Sequence, residues 1–168
     1  MENKEFTPQD RKFMQMAIDL SVENVANGGG PFGAVIVRDG EIIATGTNRV
    51  TANNDPTAHA EVSAIRAACA KVGNFKLEGC TCYTSCEPCP MCLSALYWAG
   101  VERIFYGNTK QDAKSINFDD SFIYDQLALD YDGLDQVQID RTNGANVIRC
   151  NCRVWLKNKA HSHTEAKS

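Results

Sequence analysis

Two short segments hold the side chains most capable of chemistry: His59-Ala60-Glu61, and Cys89-Pro90-Met91-Cys92 with Pro88 before it. One imidazole and two thiolates fill three corners of a tetrahedral zinc site. A fourth corner left to water marks a catalytic zinc rather than a structural one. Zinc lowers the pKa of such a water to roughly 7, which makes a nucleophile available at neutral pH. Glu61, two residues from the histidine, is the base expected to handle that water's protons. Cys89 and Cys92 stand at i and i+3, so on a helix they share a face and can bind one ion.

Taken singly, neither segment says much. A lone His-x-Glu is no signal, and a lone Cys-x-x-Cys equally suits a redox pair or half of a structural zinc site. The serious rival is a closed structural site with Cys86 as fourth ligand. Cys86, Cys89 and Cys92 are evenly spaced, so spacing alone leaves open which of them bind. Cys86 precedes Pro88, outside the expected helix start, and a closed site would leave Glu61 without a role. The open site is therefore the expectation.

A chain of 168 residues is enough for one ordinary domain with a sizeable core. A single domain over 1–168 is expected, with 145–168 as a C-terminal helix and tail that swaps or caps the site. The composition, 43% hydrophobic and 23% charged, is near the globular average. The segment Met1 to Asp10 is polar, and no apolar run approaches the ~20 residues of a membrane span. A soluble, cytoplasmic protein with no membrane partner is the reading. Eight cysteines, about 5% of the chain, fall below the ~8–10% of disulfide scaffolds, so reduced thiols and metal ligation are expected. Cys69, Cys80, Cys82, Cys150 and Cys152 read as buried thiols packed like small hydrophobes. A net charge of −4 and a pI of 5.4 argue against a nucleic-acid groove, which normally carries a basic footprint.

The elements that must carry these residues are legible. Thr7, Pro8 and Asp10 open a first helix with Phe13, Met16, Ala17 and Leu20 at helical spacing, stopped by Gly28-Gly29-Gly30-Pro31. A hairpin follows, with strands over 34–37 and 42–44 joined at Asp39-Gly40. Asp55-Pro56 opens a second helix with a stripe of Val62, Ile65, Cys69 and Val72. Cys80 to Thr84 is a strand. Pro88 opens a third helix through Trp98, and Val101 to Tyr106 is another strand. Ser121 to Leu129 reads as helix, Val137 to Ile139 as a short strand and Ala145 to Lys159 as a terminal helix. Helices interleaved with strands imply a three-layer α/β/α sandwich over one mixed sheet. Two parallel helices beginning at one sheet edge would bring His59, Glu61, Cys89 and Cys92 together, and their positive ends would favour thiolates.

The joint pattern of His-x-Glu and Pro-Cys-x-x-Cys is a known signature of zinc deaminases that act on nucleobases. The chain resembles the bacterial and plant guanine and guanosine deaminase branch of the cytidine deaminase superfamily. The carrying stretches run from Gly30 to Val37, Asn54 to Val62, Tyr83 to Cys92 and Phe118 to Tyr124. The zinc motifs are common to the superfamily, and the Phe118-Asp119-Asp120 stretch is the more discriminating piece. The resemblance implies a cytidine-deaminase-like fold, one Zn2+ per subunit and hydrolytic deamination of guanine to xanthine and ammonia. It also implies a homodimer, in one arrangement domain-swapped. Its zinc ligands are His59, Cys89 and Cys92, and Glu61 shuttles protons. By matched position Asn48 hydrogen-bonds the purine, Phe32 packs on its ring, Ala60 contacts it, and Asp120 assists binding or proton transfer. A carboxylate such as Asp120 suits the several N–H donors of guanine. Trp98, on the third helix, is a further candidate for the pocket wall. Phe32 equally suits the core, Trp98 a core or interface position, and Asn48 a turn; Asp119 and Asp120 could exchange roles.

Members of this branch finish at a C-terminal tyrosine that reaches a substrate site, often the partner subunit's. Here the last tyrosine is Tyr131 and the chain ends His-Thr-Glu-Ala-Lys-Ser, so an altered lid is expected, with either the substrate or the swap changed; His161 and His163 read first as histidines of a mobile tail and second as substitutes for the tyrosine. The competing readings are a deaminase of guanosine, an aminotriazine or tRNA adenosine, and a zinc-stabilised binding module with no activity. The acidic pI and the Phe-Asp-Asp stretch disfavour the tRNA reading.

Overall fold

The computed structural model describes residues 6–129. In chain order the elements are α1 (Pro8–Ala26), β1 (Gly33–Arg38), β2 (Glu41–Thr47), α2 (Val50–Asn53), α3 (Ala60–Val72), β3 (Cys80–Cys86), α4 (Pro90–Ala99), β4 (Arg103–Asn108), α5 (Lys110–Ser115) and α6 (Ser121–Leu127). The described residues up to Tyr124 form one compact unit. The strand expected at Val137–Ile139, the helix expected over Ala145–Lys159, Cys150, Cys152, Tyr131 and the two tail histidines lie outside the described residues.

The sheet order is β2-β1-β3-β4. β1 pairs antiparallel with both β2 and β3, and β3 pairs parallel with β4, so the sheet is mixed as expected. The hairpin turn places Asp39 at φ 53° and Gly40 at φ 76°, the two positive values that a tight primed turn requires. Side chains alternate along β1. Val35 and Val37 pack against Phe13, Met14 and Ala17 of α1, while Ala34 and Ile36 face α3 and α4. β3 divides in the same way, with Cys80 and Cys82 toward α3 and α4 and Tyr83 toward α1. Helices thus cover both faces, which is the three-layer sandwich.

Two details correct the sequence reading. The fully buried face of α3 is made by Ala60, Ala64 and Ala68, while Ile65, Cys69 and Val72 are only partly buried around it. Small residues let this helix lie close to the sheet: a Cβ on Gly46 of β2 would collide with the Ala60 carbonyl and the Ala64 backbone nitrogen. The helices also start later than Asp55-Pro56 and Pro88 imply, because each start is set by a metal-motif residue. His59 is the N-cap of α3, and Cys89 is the N-cap of α4 with Pro90 in its first turn. Asp55 instead accepts the Thr57 N–H at 2.8 Å and pairs with Arg66 at 3.2 Å, bracing the loop before His59. The short helices α2 and α5 were not anticipated. Thr109 and Asp112 form a reciprocal capping box on α5, a Thr-x-x-Asp signal present in the sequence.

Candidate active site

The N-termini of α3 and α4 carry the four motif residues. His59 and Cys89 sit at the two N-caps, Glu61 lies in the first turn of α3, and Cys92 in the first turn of α4. The positive end of each helix therefore faces the thiols, which favours their anionic form.

The imidazole nitrogen and the two sulfurs lie within 4.8 Å of one another. His59 Nδ1 is 3.6 Å from Cys89 Sγ and 3.5 Å from Cys92 Sγ. A tetrahedral zinc with Zn–S near 2.3 Å and Zn–N near 2.0–2.1 Å sets nitrogen and sulfur about 3.6 Å apart, so the donor set fits the ion. Cys86 also borders this site but is outside the cluster, its thiol donating to the Thr109 carbonyl oxygen at 3.6 Å. Among the described residues His59, Cys89 and Cys92 form the one such cluster, which leaves a tetrahedral ion an open position.

Local electrostatics follow from burial and contact. The hydrogen bond from Cys92, with His59 beside it, pulls the Cys89 thiol down to about 4. The same contact pushes Cys92 up. His59 is raised, first by its hydrogen bond to Cys89. Burial pushes the Cys86 thiol up to about 11 and raises Glu61 above the usual carboxylate range. Glu61 is 6% exposed, and its Oε1 accepts a 2.9 Å hydrogen bond from the Thr84 hydroxyl. Sequence reasoning passed over Thr84, although it continues the alternation of Cys80 and Cys82 toward α3.

These residues open into a cleft of about 580 Å³ whose lining includes His59, Glu61, Cys89, Asn48, Phe32 and Asp120. That is ample for a small heterocycle. Phe32 meets Phe118 edge-to-face with ring centroids 5.0 Å apart, so the two form one aromatic wall. Asn48 is buried and its Oδ1 accepts the Val50 N–H at 3.3 Å, a local turn contact that leaves its Nδ2 donors for other partners. The two aspartates separate by partner. Asp119 binds Lys114 at 3.0 Å and the Ser121 N–H at 2.9 Å, and those contacts, hydrogen bonds from Ser121 foremost, hold it at about 2. Asp120 is raised by burial and then by neighbouring negative charge, as a carboxylate inside the cleft should be.

Two of the expected contacts are placed differently. Trp98 does not reach the cleft: it is 81% exposed and borders a shallow groove with Ser94 and Tyr97, because it lies near the far end of α4 from Cys89. The Ala60 side chain is fully buried in the core under α3. Ala60 is not among the residues that line the cleft.

Residues 7–108 match the model of the cytidine and deoxycytidylate deaminase zinc-binding region. The guanine deaminase of Bacillus subtilis (strain 168) is 58% identical over 116 residues, 68% of this chain and 74% of that protein. The X-ray structure of guanine deaminase from Bacillus subtilis superposes with a TM-score of 0.84 at 46% identity, over 88% of this chain and 93% of the other. A tRNA-specific adenosine deaminase of Agrobacterium fabrum (strain C58 / ATCC 33970) is 46% identical over 84 residues, 50% of this chain and 54% of that protein. With the three ligands at tetrahedral spacing and a buried glutamate beside them, the chain belongs to the zinc-binding cytidine and deoxycytidylate deaminase family.

Proposed function

We propose that the protein is a zinc-dependent guanine deaminase that hydrolyses the free base to xanthine and ammonia. The observation that carries the reaction class is the convergence of His59, Cys89 and Cys92 beside buried Glu61. The choice of guanine is supported by the 58% identity to a guanine deaminase and by the presence of both Asn48 and Asp120 in the lining of one cleft.

Bound by those three ligands, zinc is a Lewis acid that makes water nucleophilic near neutral pH. The chain's own residues do the rest. Glu61 moves the protons, one from the attacking water to a ring nitrogen and one to the departing amine. Thr84 holds one oxygen of that carboxylate. Phe32 and Phe118 cover the purine ring, Asn48 donates to a purine acceptor, and Asp120 accepts the ring N–H donors.

The same proposal includes a homodimer in the cytoplasm that has no nucleic-acid partner. Exposed Tyr97 and Trp98 on α4 offer apolar surface to a second copy. The six described cysteines are free thiols, as in a reducing compartment. A net charge of −4 weighs against a nucleic-acid partner.

The test is ammonia release by zinc-loaded protein from guanine, guanosine, adenine, cytosine and cytidine. Guanine turnover well above the rest is expected. Turnover of cytidine or guanosine in preference to guanine would overturn the substrate choice. Light scattering checks the dimer.

A further inference from the structure

The proposed purine wall is built from two segments far apart in sequence. Gly28, Gly29, Gly30 and Phe32 line the cleft on one side, and Asn48, Val50 and Thr51 continue it. One buried side chain outside the cleft joins them. Asn24, two residues before the end of α1, is 4% exposed. Its Nδ2 donates to the Gly30 carbonyl at 2.8 Å and to the Asn48 carbonyl at 2.9 Å. Its own carbonyl accepts the Gly29 N–H at 2.8 Å.

We propose that Asn24 is a positioning residue for substrate binding, whose amide sets the placement of Asn48 against the glycine loop. Asparagine is a poor helix former, so its place late in α1 calls for a reason, and the two carbonyls supply one. Only an amide offers two N–H donors on one nitrogen at this reach. The packing around it is specific as well. A Cβ at Gly29 would collide with the Asn24 amide, and one at Gly30 would stand 3.1 Å from the Asn48 side chain. The Asn48 N–H in turn donates to the Phe32 carbonyl at 3.2 Å, which carries the constraint to the aromatic wall. Asn24 touches no substrate itself. It acts through the main chain of Asn48, and the inference rests on the reading of Asn48 as a purine contact.

The experiment is a double-mutant cycle on the full zinc-loaded chain, using Asn24→Ala, Asn48→Ala and the pair. Asn24→Ser replaces Asn24→Ala if the latter is not recovered folded. The readouts are kcat and KM for guanine and, independently of turnover, the Kd for xanthine by calorimetry. Asn24→Ala is expected to raise KM and Kd about tenfold, the scale of one lost hydrogen bond, with kcat little changed. The pair should be no weaker than Asn48→Ala alone, because both remove one contact. Additive losses, or an unchanged KM in the folded Asn24 variant beside an impaired Asn48→Ala, would overturn the positioning role alone. A silent Asn48→Ala would instead overturn the reading of Asn48.

Discussion

The Thr84 hydroxyl donates to Glu61 Oε1 at 2.9 Å, and both side chains are buried. A carboxylate at the start of a helix has free torsions, and this bond removes them. Thr84→Val keeps the volume and deletes the donor. Steady-state kinetics should show kcat reduced about 10- to 100-fold, the scale of a hydrogen bond to a charged group, with KM for guanine near the parent value. Thr84→Ser should restore most of the loss. An unchanged kcat in Thr84→Val would remove the residue from the machinery.

Glu61→Gln keeps the shape and abolishes proton transfer. Metal analysis should find zinc retained at the parent stoichiometry, while ammonia release falls by at least about 10³-fold. Residual turnover near the parent rate would remove Glu61 as proton shuttle.

The three evenly spaced cysteines should separate by metal content. Cys89→Ser and Cys92→Ser are expected to lose most of their zinc. Cys86→Ser should retain it, because that sulfur lies against the Thr109 carbonyl rather than the His59 ring. Loss of zinc from Cys86→Ser would point to a closed four-ligand site.

The adjacent aspartates should differ in kinetics. Asp120→Ala is expected to raise KM for guanine about tenfold or more, by loss of a charge-assisted acceptor. Asp119→Ala should leave turnover close to parent, since its oxygens are occupied by Lys114 and Ser121. Equal losses in both variants would contradict this division.

Acid stability should depend on a contact across the sheet from the active site. The Tyr83 hydroxyl donates to Asp10 Oδ1 at 2.6 Å, tying β3 to α1. Burial acts to raise Asp10, but hydrogen bonds from Tyr83 and Thr7 outweigh it and hold the carboxyl below its ordinary value. A lowered carboxylate contributes stability above its unfolded pKa of about 3.9, and that contribution fades as pH falls through the folded value. Tyr83→Phe should cost about 1–3 kcal/mol near neutrality and move the acid-unfolding midpoint to higher pH, read by circular dichroism. An unmoved midpoint would discount the contact.

Much of this was written in short-range pattern. Thr7 and Asp10 cap α1 as a capping box, and Asp39-Gly40 turns the hairpin. The spacing of Cys89 and Cys92 puts two thiols on one helical turn. These features depend on residues within a few positions of one another, where backbone geometry leaves little choice. Alanine spacing in α3 was legible too, but the large residues Ile65, Cys69 and Val72 mark only the flank of the buried face. The depth to which a helix sinks depends on what the opposing strand allows, here Gly46.

The local code could name a histidine, a glutamate and three cysteines, and so a reaction class. It could not say that Cys86 turns to Thr109, that Asp119 is spent on Lys114, or that Trp98 points away from the cleft. Nor could it link Thr84 to Glu61 or Asn24 to Asn48, pairs separated by 23 and 24 residues. Such pairings arise only when strand register and helix docking bring distant backbone together, and each is decided by which of several polar partners lies nearest in space. The zinc motif is a property of the chain; the purine wall is a property of the fold.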